Sequence, residues 1–476
     1  MKAKIDNFHG IQPRIHPALL GAGMAVRAHN CRLKNGKLVP LRMPSVVDGA
    51  RVYREGGLVS IADAVSLHPW KWISAASGVG VNFFAFKGVA WMTEGNVADD
   101  KFDRVFVTGA TGVPFTGADG VMVEDTPAVF LHERGGNSVV RRTLVKDALA
   151  VSGDDGAERT ESGAGPDEAR TIYYAAFFVS WFDEYGYESG LSGASNIVAF
   201  NDNDTVTLHV RGVPANAAGV RVYMTRSGTD ETGSGIQHIY DKTTDLAPGN
   251  MDVAFKANLA DAGEAEPGIE PVPKDLQCLQ YVPGGFYAGF SKSQPKTVMF
   301  SDLGAPTSWP VAYRYDVKDN IVALAATVNT VYALTDGWPW VLSGTAPDTM
   351  TAAKLAGPAA CVSPRGVCVY RNGVYFVSHE GLMAIVSDAD AGTVCANVTE
   401  KAFTKDQWLA LNPSSCVMLQ HDGALHLFFR KPDGTPADGL VIDLQESADA
   451  ITTHDESARC ACVDVTTDTM YYVRAE

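Results

Sequence analysis

Cys416-Val417-Met418-Leu419-Gln420, Ala424-Leu425-His426-Leu427-Phe428-Phe429 and Gly439-Leu440-Val441-Ile442-Asp443-Leu444 are three short runs rich in aliphatic and aromatic residues, separated by polar breaks. Runs of this length and composition read as β-strands. The same grouping recurs upstream. Gly366–Tyr370, Gly373–Ser378 and Leu382–Val386 form one set, and Ile321–Ala325, Thr330–Thr335 and Pro339–Ser343 another. Phe286–Phe290 pairs with Thr297–Ser301, and Ala461–Val465 with Thr469–Val473 ends the chain. Groups of three or four strands recurring at roughly 40–50 residues predict the blades of a β-propeller. Gly80–Trp91, Arg104–Val107 and Val121–His132 add strands nearer the N-terminus, and neither a WD nor a kelch signature accompanies the groups.

Two polar seams interrupt this pattern. Ser152-Gly153-Asp154-Asp155-Gly156 through Pro166-Asp167-Glu168 is small and acidic, and Gly263-Glu264-Ala265-Glu266-Pro267-Gly268 leads to Pro271 and Pro273. Such composition reads as linker. Between the seams, Thr171–Phe182, Asn196–Phe200, Thr205–Val210, Gly219–Arg226, Ile236–Tyr240 and Met251–Phe255 are short strands in about a hundred residues, the spacing of an antiparallel sandwich. The domain reading is an N-terminal arm over 1–50, a propeller-like domain over 51–151 and 274–476, linkers over 152–169 and 263–273, and a sandwich over 170–262. Two helices are expected, at Pro17–Arg27 with Pro at its first turn, and at Lys401–Leu411 ended by Pro413.

The chain has 476 residues, 46% hydrophobic and 20% charged, so it is globular and long enough for several domains. No run approaches the length of a membrane-spanning helix. A net charge of −16 argues against gripping nucleic acid by its phosphates. It is compatible with a wall past which nucleic acid slides, or simply with solubility. The eight cysteines at 31, 278, 361, 368, 395, 416, 460 and 462 are too sparse for a disulfide scaffold and lack zinc-ribbon spacing, so they read as small buried hydrophobes.

No catalytic constellation emerges, and no cofactor or metal is expected. His29-Asn30-Cys31 places a thiol near an imidazole without the pattern a nucleophile–base pair needs. Gly21-Ala22-Gly23 and Gly78-Val79-Gly80 lack a nucleotide-binding context. Ser387–Gly392 and Asn201–Asp204 carry fragments of calcium loops without the closing Glu, and acidic turns are their commoner meaning. Trp70 with Trp72, and Trp338 with Trp340, suit core packing or, alternatively, a glycan platform.

Ser301-Asp302-Leu303-Gly304-Ala305-Pro306-Thr307-Ser308-Trp309 resembles the aspartate box of sialidases and related propellers, with shifted spacing. The resemblance implies a structural turn built on Ser301, Asp302, Gly304 and Trp309; a glycosidase would need an arginine set and a Tyr–Glu pair that no spacing singles out. The strand order of 171–226 resembles fibronectin-type-III-like modules of phage virion proteins.

The chain as a whole resembles the nozzle, or tail tubular, proteins of short-tailed T7-like bacteriophages. The residues that carry this are Phe8, Gly10, Ile11, Pro13 and Arg14, then Asn30, Gly36, Leu38 and Pro40. Val298–Asp302 with Pro306 and Trp309, Gly344–Pro347 and His379–Leu382 continue it. The resemblance implies a virion protein made in the bacterial host cytoplasm. It further implies a homo-oligomeric ring, typically a hexamer, below the portal and adaptor, bearing fibres or spikes and passing double-stranded DNA during ejection. Phe8, Ile11, Pro13, Arg14, Asn30 and Pro40 are then the expected docking residues, and loss of residues 1–40 is expected to leave a folded protein unable to join particles. No sequence for a long distal tip is evident, which speaks against a terminal gate and for a hub or a head-to-tail or tail-side fitting. The alternative function is a host-glycan-binding propeller of the tail or, behind it, a sialidase-like glycosidase.

Overall fold

The computed structural model describes residues 8–47, 51–52, 64–70, 82–86, 88–95, 104–109, 115–116, 122–123, 128–132, 139–143, 146–151, 156–160, 172–201, 204–225, 236–256, 270–357, 359–388, 392–447, 449–465 and 467–475. Its backbone is mainly β. Among the described residues, seven sheets follow one another around a ring, and the strand nearest the axis is known for each. These inner strands are Ser66–Trp70, Ala90–Glu94, Leu276–Val282, Ile321–Thr327, Val367–Tyr370, Val417–His421 and Ala458–Asp464. Each packs on the next, and the seventh packs on the first. The protein is a propeller-like ring that the two halves of the chain close together.

Blades two to six are four-stranded antiparallel sheets in sequence order, apart from short excursions. In blades four to six the first three strands are those the sequence reading finds; in blade three it misses the first, Leu276–Val282. The fourth is missed in blades two to six: Val139–Thr143, Arg314–Asp316, Thr351–Lys354, Gly392–Asn397 and Ile451–His454. Thr351–Lys354 shows why. All four residues are exposed, so no alternation marks them, and only pairing to Trp340–Ser343 makes the strand. A separate apolar cluster fills each joint between blades. Phe84 and Phe86 meet Val105 and Val107 at the first joint, and Phe83 and Ala85 meet Cys460 and Cys462 where the ring closes.

Between the second and third blades the chain leaves the ring and builds two facing sheets. Phe177–Asp183, Ala217–Thr225 and Ile236–Lys242 form one; Thr205–Val213 lies between Ala157–Thr160 and Gly249–Lys256 in the other. Their inward residues, including Phe177, Phe200, Leu208, Val222, Val253 and Phe255, form a core shared with no blade. Ala157–Thr160 falls inside the stretch expected to be linker, so the sandwich starts earlier. Its acidic, glycine-rich flanks mask a strand that pairing with Thr205–Leu208 fixes.

The sandwich is pinned to the ring. Asp183 Oδ1 accepts N–H bonds from Tyr185 and Tyr187, both 3.0 Å, and so folds the loop that carries these rings. Both tyrosines insert into the joint between blades two and three, with Phe106, Leu276 and Trp309. Arg104 lies 5.1 Å above the Tyr187 ring and donates to Tyr185 O. Along the strand edge, Ser189, Ser192 and Ser195 run at three-residue spacing. Each backbone N–H donates to a carbonyl (Trp181, Val179, Phe177), and each Oγ accepts the same residue's N–H. Ser189-Gly190-Leu191-Ser192-Gly193-Ala194-Ser195 thereby satisfies an edge that would otherwise invite a foreign strand.

The expected helix at Pro17–Arg27 is instead a 3-10 turn, Pro17–Leu19, followed by the strand Met24–Ala25. Gly21 and Gly23 (φ +83°) break the run, and Met24–Ala25 pairs in parallel with Gly10–Ile11. At the other site a single turn, Lys405–Leu409, is capped by Thr404 and Gln407 and followed by left-handed Asn412 and Pro413.

Candidate functional site

The residues expected to dock on another protein are engaged within this chain. Phe8 and Ile11 are 8% and 2% exposed and pack into the sixth blade's core with Trp408, Leu425, Leu427 and Ile451. Gly10 between them has φ +128°, and a Cβ there would stand 2.2 Å from Asp449 O. Only glycine lets the backbone lie so close to the blade. Gln407 Nε2 donates to Pro13 O (3.1 Å), and Arg14 donates from its backbone to Ala402 O and from Nη1 to Glu400 O (2.7 Å). Asn30, left-handed at φ 54°, exchanges bonds with Thr453 O and Asp455 N, and its side chain holds the Asp455 carboxyl below the usual range. Pro40 pairs opposite Cys31 at the end of the hairpin Cys31–Lys34/Lys37–Pro40 and is exposed. The docking expectation is therefore corrected for Phe8 and Ile11. Apolar spacing in the sequence reports that a surface will be covered, not whose surface covers it.

The strongest tether is one the sequence reading missed. Arg32 reaches Asp443 at 2.7 Å and Asp422 at 2.6 Å, with Asp443 itself 2% exposed. Burial raises the Asp422 carboxyl, but the Arg32 guanidinium outweighs it and the net shift is downward. His29 Nδ1 meets Thr453 Oγ1 at 2.9 Å. Beneath this clasp lie His426 and His454. Burial pushes His426 down to about 3 and His454 down to about 4, and the Nε2 atom of each has no partner.

While its inner face is buried, the arm's outer face exposes Leu19, Val26, Leu38, Met43, Val46 and Val47. Met43 is 91% and Val46 88% exposed. These six account for much of the exposed large apolar surface of the described residues.

The propeller axis holds a cavity of ≈ 400 Å³. Trp91, Gln280, Leu324, Cys368, Met418 and Val463 line it, one from each of six inner strands. That is small-molecule size. Near the start of the inner strands, Arg365 of the fifth blade donates from Nη1 to Val65 O (2.9 Å) and Arg459 O (2.7 Å), tying the fifth blade to the first and seventh. Burial, reinforced by Arg430, lowers the Arg365 pKa. The propeller axis is thus tied across at one end and cannot serve as a passage for a double helix.

The remaining candidate residues separate. In the 301–309 turn, Ser308 Oγ donates to Asp302 Oδ2 (2.9 Å), Asp302 N donates to Ser308 O, and the 1% exposed Trp309 donates from Nε1 to Pro306 O. Ser301 Oγ receives Tyr287 N, and Gly304 (φ +67°) donates to Gly285 O. These residues face one another and knit a turn. Trp338 has the Lys354 ammonium 3.6 Å from its ring centre, so one face is occupied; Trp340 is half-buried. Trp70 ends a strand whose backbone alone is described there, and Trp72 lies outside the described residues. Asp204 takes Asn201 N (2.8 Å) and Arg159 (2.9 Å), an acidic turn. Among the described residues no group of three or more His, Cys, Asp or Glu could hold a metal. All eight cysteines are unpaired, and burial raises Cys278, Cys361 and Cys368 to about 12, so these thiols stay protonated.

No family model matches the chain, and no curated protein matches it. Among solved structures, apo AztD from Citrobacter koseri is 13% identical, with a TM-score of 0.26, over 63% of this chain and 76% of that one. A quinonprotein alcohol dehydrogenase-like protein from Bacteroides thetaiotaomicron VPI-5482 is 9% identical, with a TM-score of 0.29, over 69% of this chain and 88% of that one. At such scores neither likeness bears on what this chain does.

Proposed function

We propose that this chain is a non-enzymatic structural subunit of a short-tailed phage tail, one copy of a ring that surrounds the path of DNA ejection below portal and adaptor. The observation that carries the reading is the arm. Buried contacts fix its backbone to the sixth blade, yet it lifts Leu19, Val26, Leu38, Met43, Val46 and Val47 into solvent. Exposed apolar side chains grouped on one docked segment are characteristic of proteins that assemble. A net charge of −16 suits a wall along which DNA moves without sticking. Because Arg365 ties across each propeller axis, the lumen in this reading lies between subunits. A glycan-binding role gains no support at Trp338, where Lys354 covers one ring face.

Cryo-electron microscopy of the native particle tests the proposal. The expected result is a closed ring of this chain in the tail, with the arm's outer face in contact with protein. Absence of the chain from tail density, or its presence as isolated propellers on a sugar-bearing surface, overturns it.

A further inference from the structure

We propose that the outer face of the arm docks on the sandwich of a second copy of this chain, a head-to-tail contact that joins successive subunits. Residues 1–47 carry eight Lys and Arg against one Asp, whereas residues 150–256 carry seven Lys and Arg against sixteen Asp and Glu. The most basic part of the molecule and its acidic sandwich are separate structural units with complementary signs. Arg27, Lys37 and Arg42 are exposed and alternate in sequence with the exposed Val26, Leu38 and Met43, so charge and apolar surface are carried by the same segment. The sandwich offers the matching combination. Ile172 and Ile197 are exposed there, and Glu158, Asp245 and Asp252 are exposed carboxylates.

Position excludes the contact within one chain. The arm is fixed to the sixth blade by Arg32 and the Phe8–Ile11 cluster. The sandwich leaves the ring between the second and third blades, pinned by Tyr185 and Tyr187. Around seven blades these two places stand opposite each other: three blades, numbers seven, one and two, lie between them on one side, and three, four and five on the other. A basic segment at one pole and an acidic module at the other cannot meet in one molecule, but they can meet between molecules. Two different surfaces in contact give a heterologous interface, which closes into a ring when its rotation allows. Opposite charge guides the encounter, and the apolar residues hold it.

This inference rests on the tail reading only for its setting; the contact itself is a property of the purified protein. The test is analytical ultracentrifugation of the full chain in ~0.02 M and ~0.5 M salt. Two triple variants accompany it, R27E/K37E/R42E on the arm and E158K/D245K/D252K on the sandwich. Wild type is expected to assemble at low salt and dissociate at high salt. Each variant alone should associate at least about tenfold more weakly while still unfolding cooperatively. An equimolar mixture of the two should assemble again, because every contact in it can pair opposite charges. A wild type that stays monomeric at low salt hands the segment to a different protein and overturns the proposal, as does assembly insensitive to either variant. Salt-sensitive assembly by a chain absent from tail density would leave this contact standing while the tail reading fails.

Discussion

The arm and the sandwich are both appended to the same propeller, and a cation–carboxylate pair with a buried carboxylate stands at each attachment. Arg32–Asp443 ties the arm to the sixth blade, whereas Lys146–Asp183 (2.7 Å, side chains 3% and 2% exposed) lies within the sandwich and shapes the loop that carries Tyr185 and Tyr187 into the ring. They differ in what stands behind the attachment. The sandwich owns a core of its own, from Leu149 to Phe255. The arm owns none, and Phe8, Ile11, Ala28 and Leu33 are buried only because the sixth blade supplies the other half. A segment with its own core can be added to a ring without altering it. A segment that completes a blade's core becomes part of the blade.

The sharpest way to break this contrast is to remove each part. A fragment spanning 146–260 is expected to unfold cooperatively by itself. Deletion of residues 1–40 is expected to expose Leu425, Leu427 and Ile451 and to abolish the cooperative melting of the ring. A deleted protein with unchanged calorimetric Tm would refute the shared core. This reverses the expectation drawn from sequence, that such a deletion spares the fold.

The next effect comes from the Lys146–Asp183 pair. Asp183→Ala leaves the Lys146 ammonium buried without its partner and removes the acceptor that shapes the Tyr185–Tyr187 loop. A loss of about 3–5 kcal/mol in denaturant unfolding is expected, together with hydrogen-exchange protection falling first around 183–188. Stability lost instead in the sixth blade would contradict the assignment.

Acid should pick out the arm. His426 and His454 stay neutral when folded, at about 3 and about 4, but bind protons near 6.5 when unfolded. Above that value neither state is charged, and stability is flat with pH. As pH falls below 6.5 the unfolded chain takes up protons that the folded chain refuses, so stability drops until the folded values are reached. Between pH 7 and 5 the two groups together cost up to about 4 kcal/mol. His426→Phe with His454→Phe should flatten this slope; an unchanged slope would move the acid sensitivity elsewhere.

The smallest effect is expected at the serine ladder. Ser192→Ala removes one acceptor for Val179 N while keeping the backbone rung, at about 1 kcal/mol. A cost several times larger would mean that the ladder acts as one cooperative unit.

What the sequence made legible follows from where side chains carry the pattern. Middle blade strands such as Phe286–Ser291 and Ala424–Phe428 bury every residue and stand out as apolar runs. The outer strand Thr351–Lys354 is exposed throughout and is made by backbone pairing, which leaves no trace in composition. The Ser301–Trp309 turn is legible because its residues bond locally. Arg32 with Asp443, and Arg365 with the carbonyls of Val65 and Arg459, are not, since they join positions 94 to 411 residues apart. The arm was recognisable as something that docks, but its partner was decided by the closure of a ring that no local pattern encodes.

That closure also sets a schedule. Arg32 bonds to a residue 411 positions later in the chain, and Thr453 O waits for Asn30. A ribosome adding roughly 5–20 residues per second would need roughly 20–80 s to make the sixth blade after the arm emerges. During that interval Phe8 and Ile11 have no blade to cover them, whereas the sandwich can complete its core as soon as residue 256 is made. The arm, made long before the blade it completes, is thus among the last segments to find its place, and whatever shields it during translation determines how much of the protein reaches the closed ring.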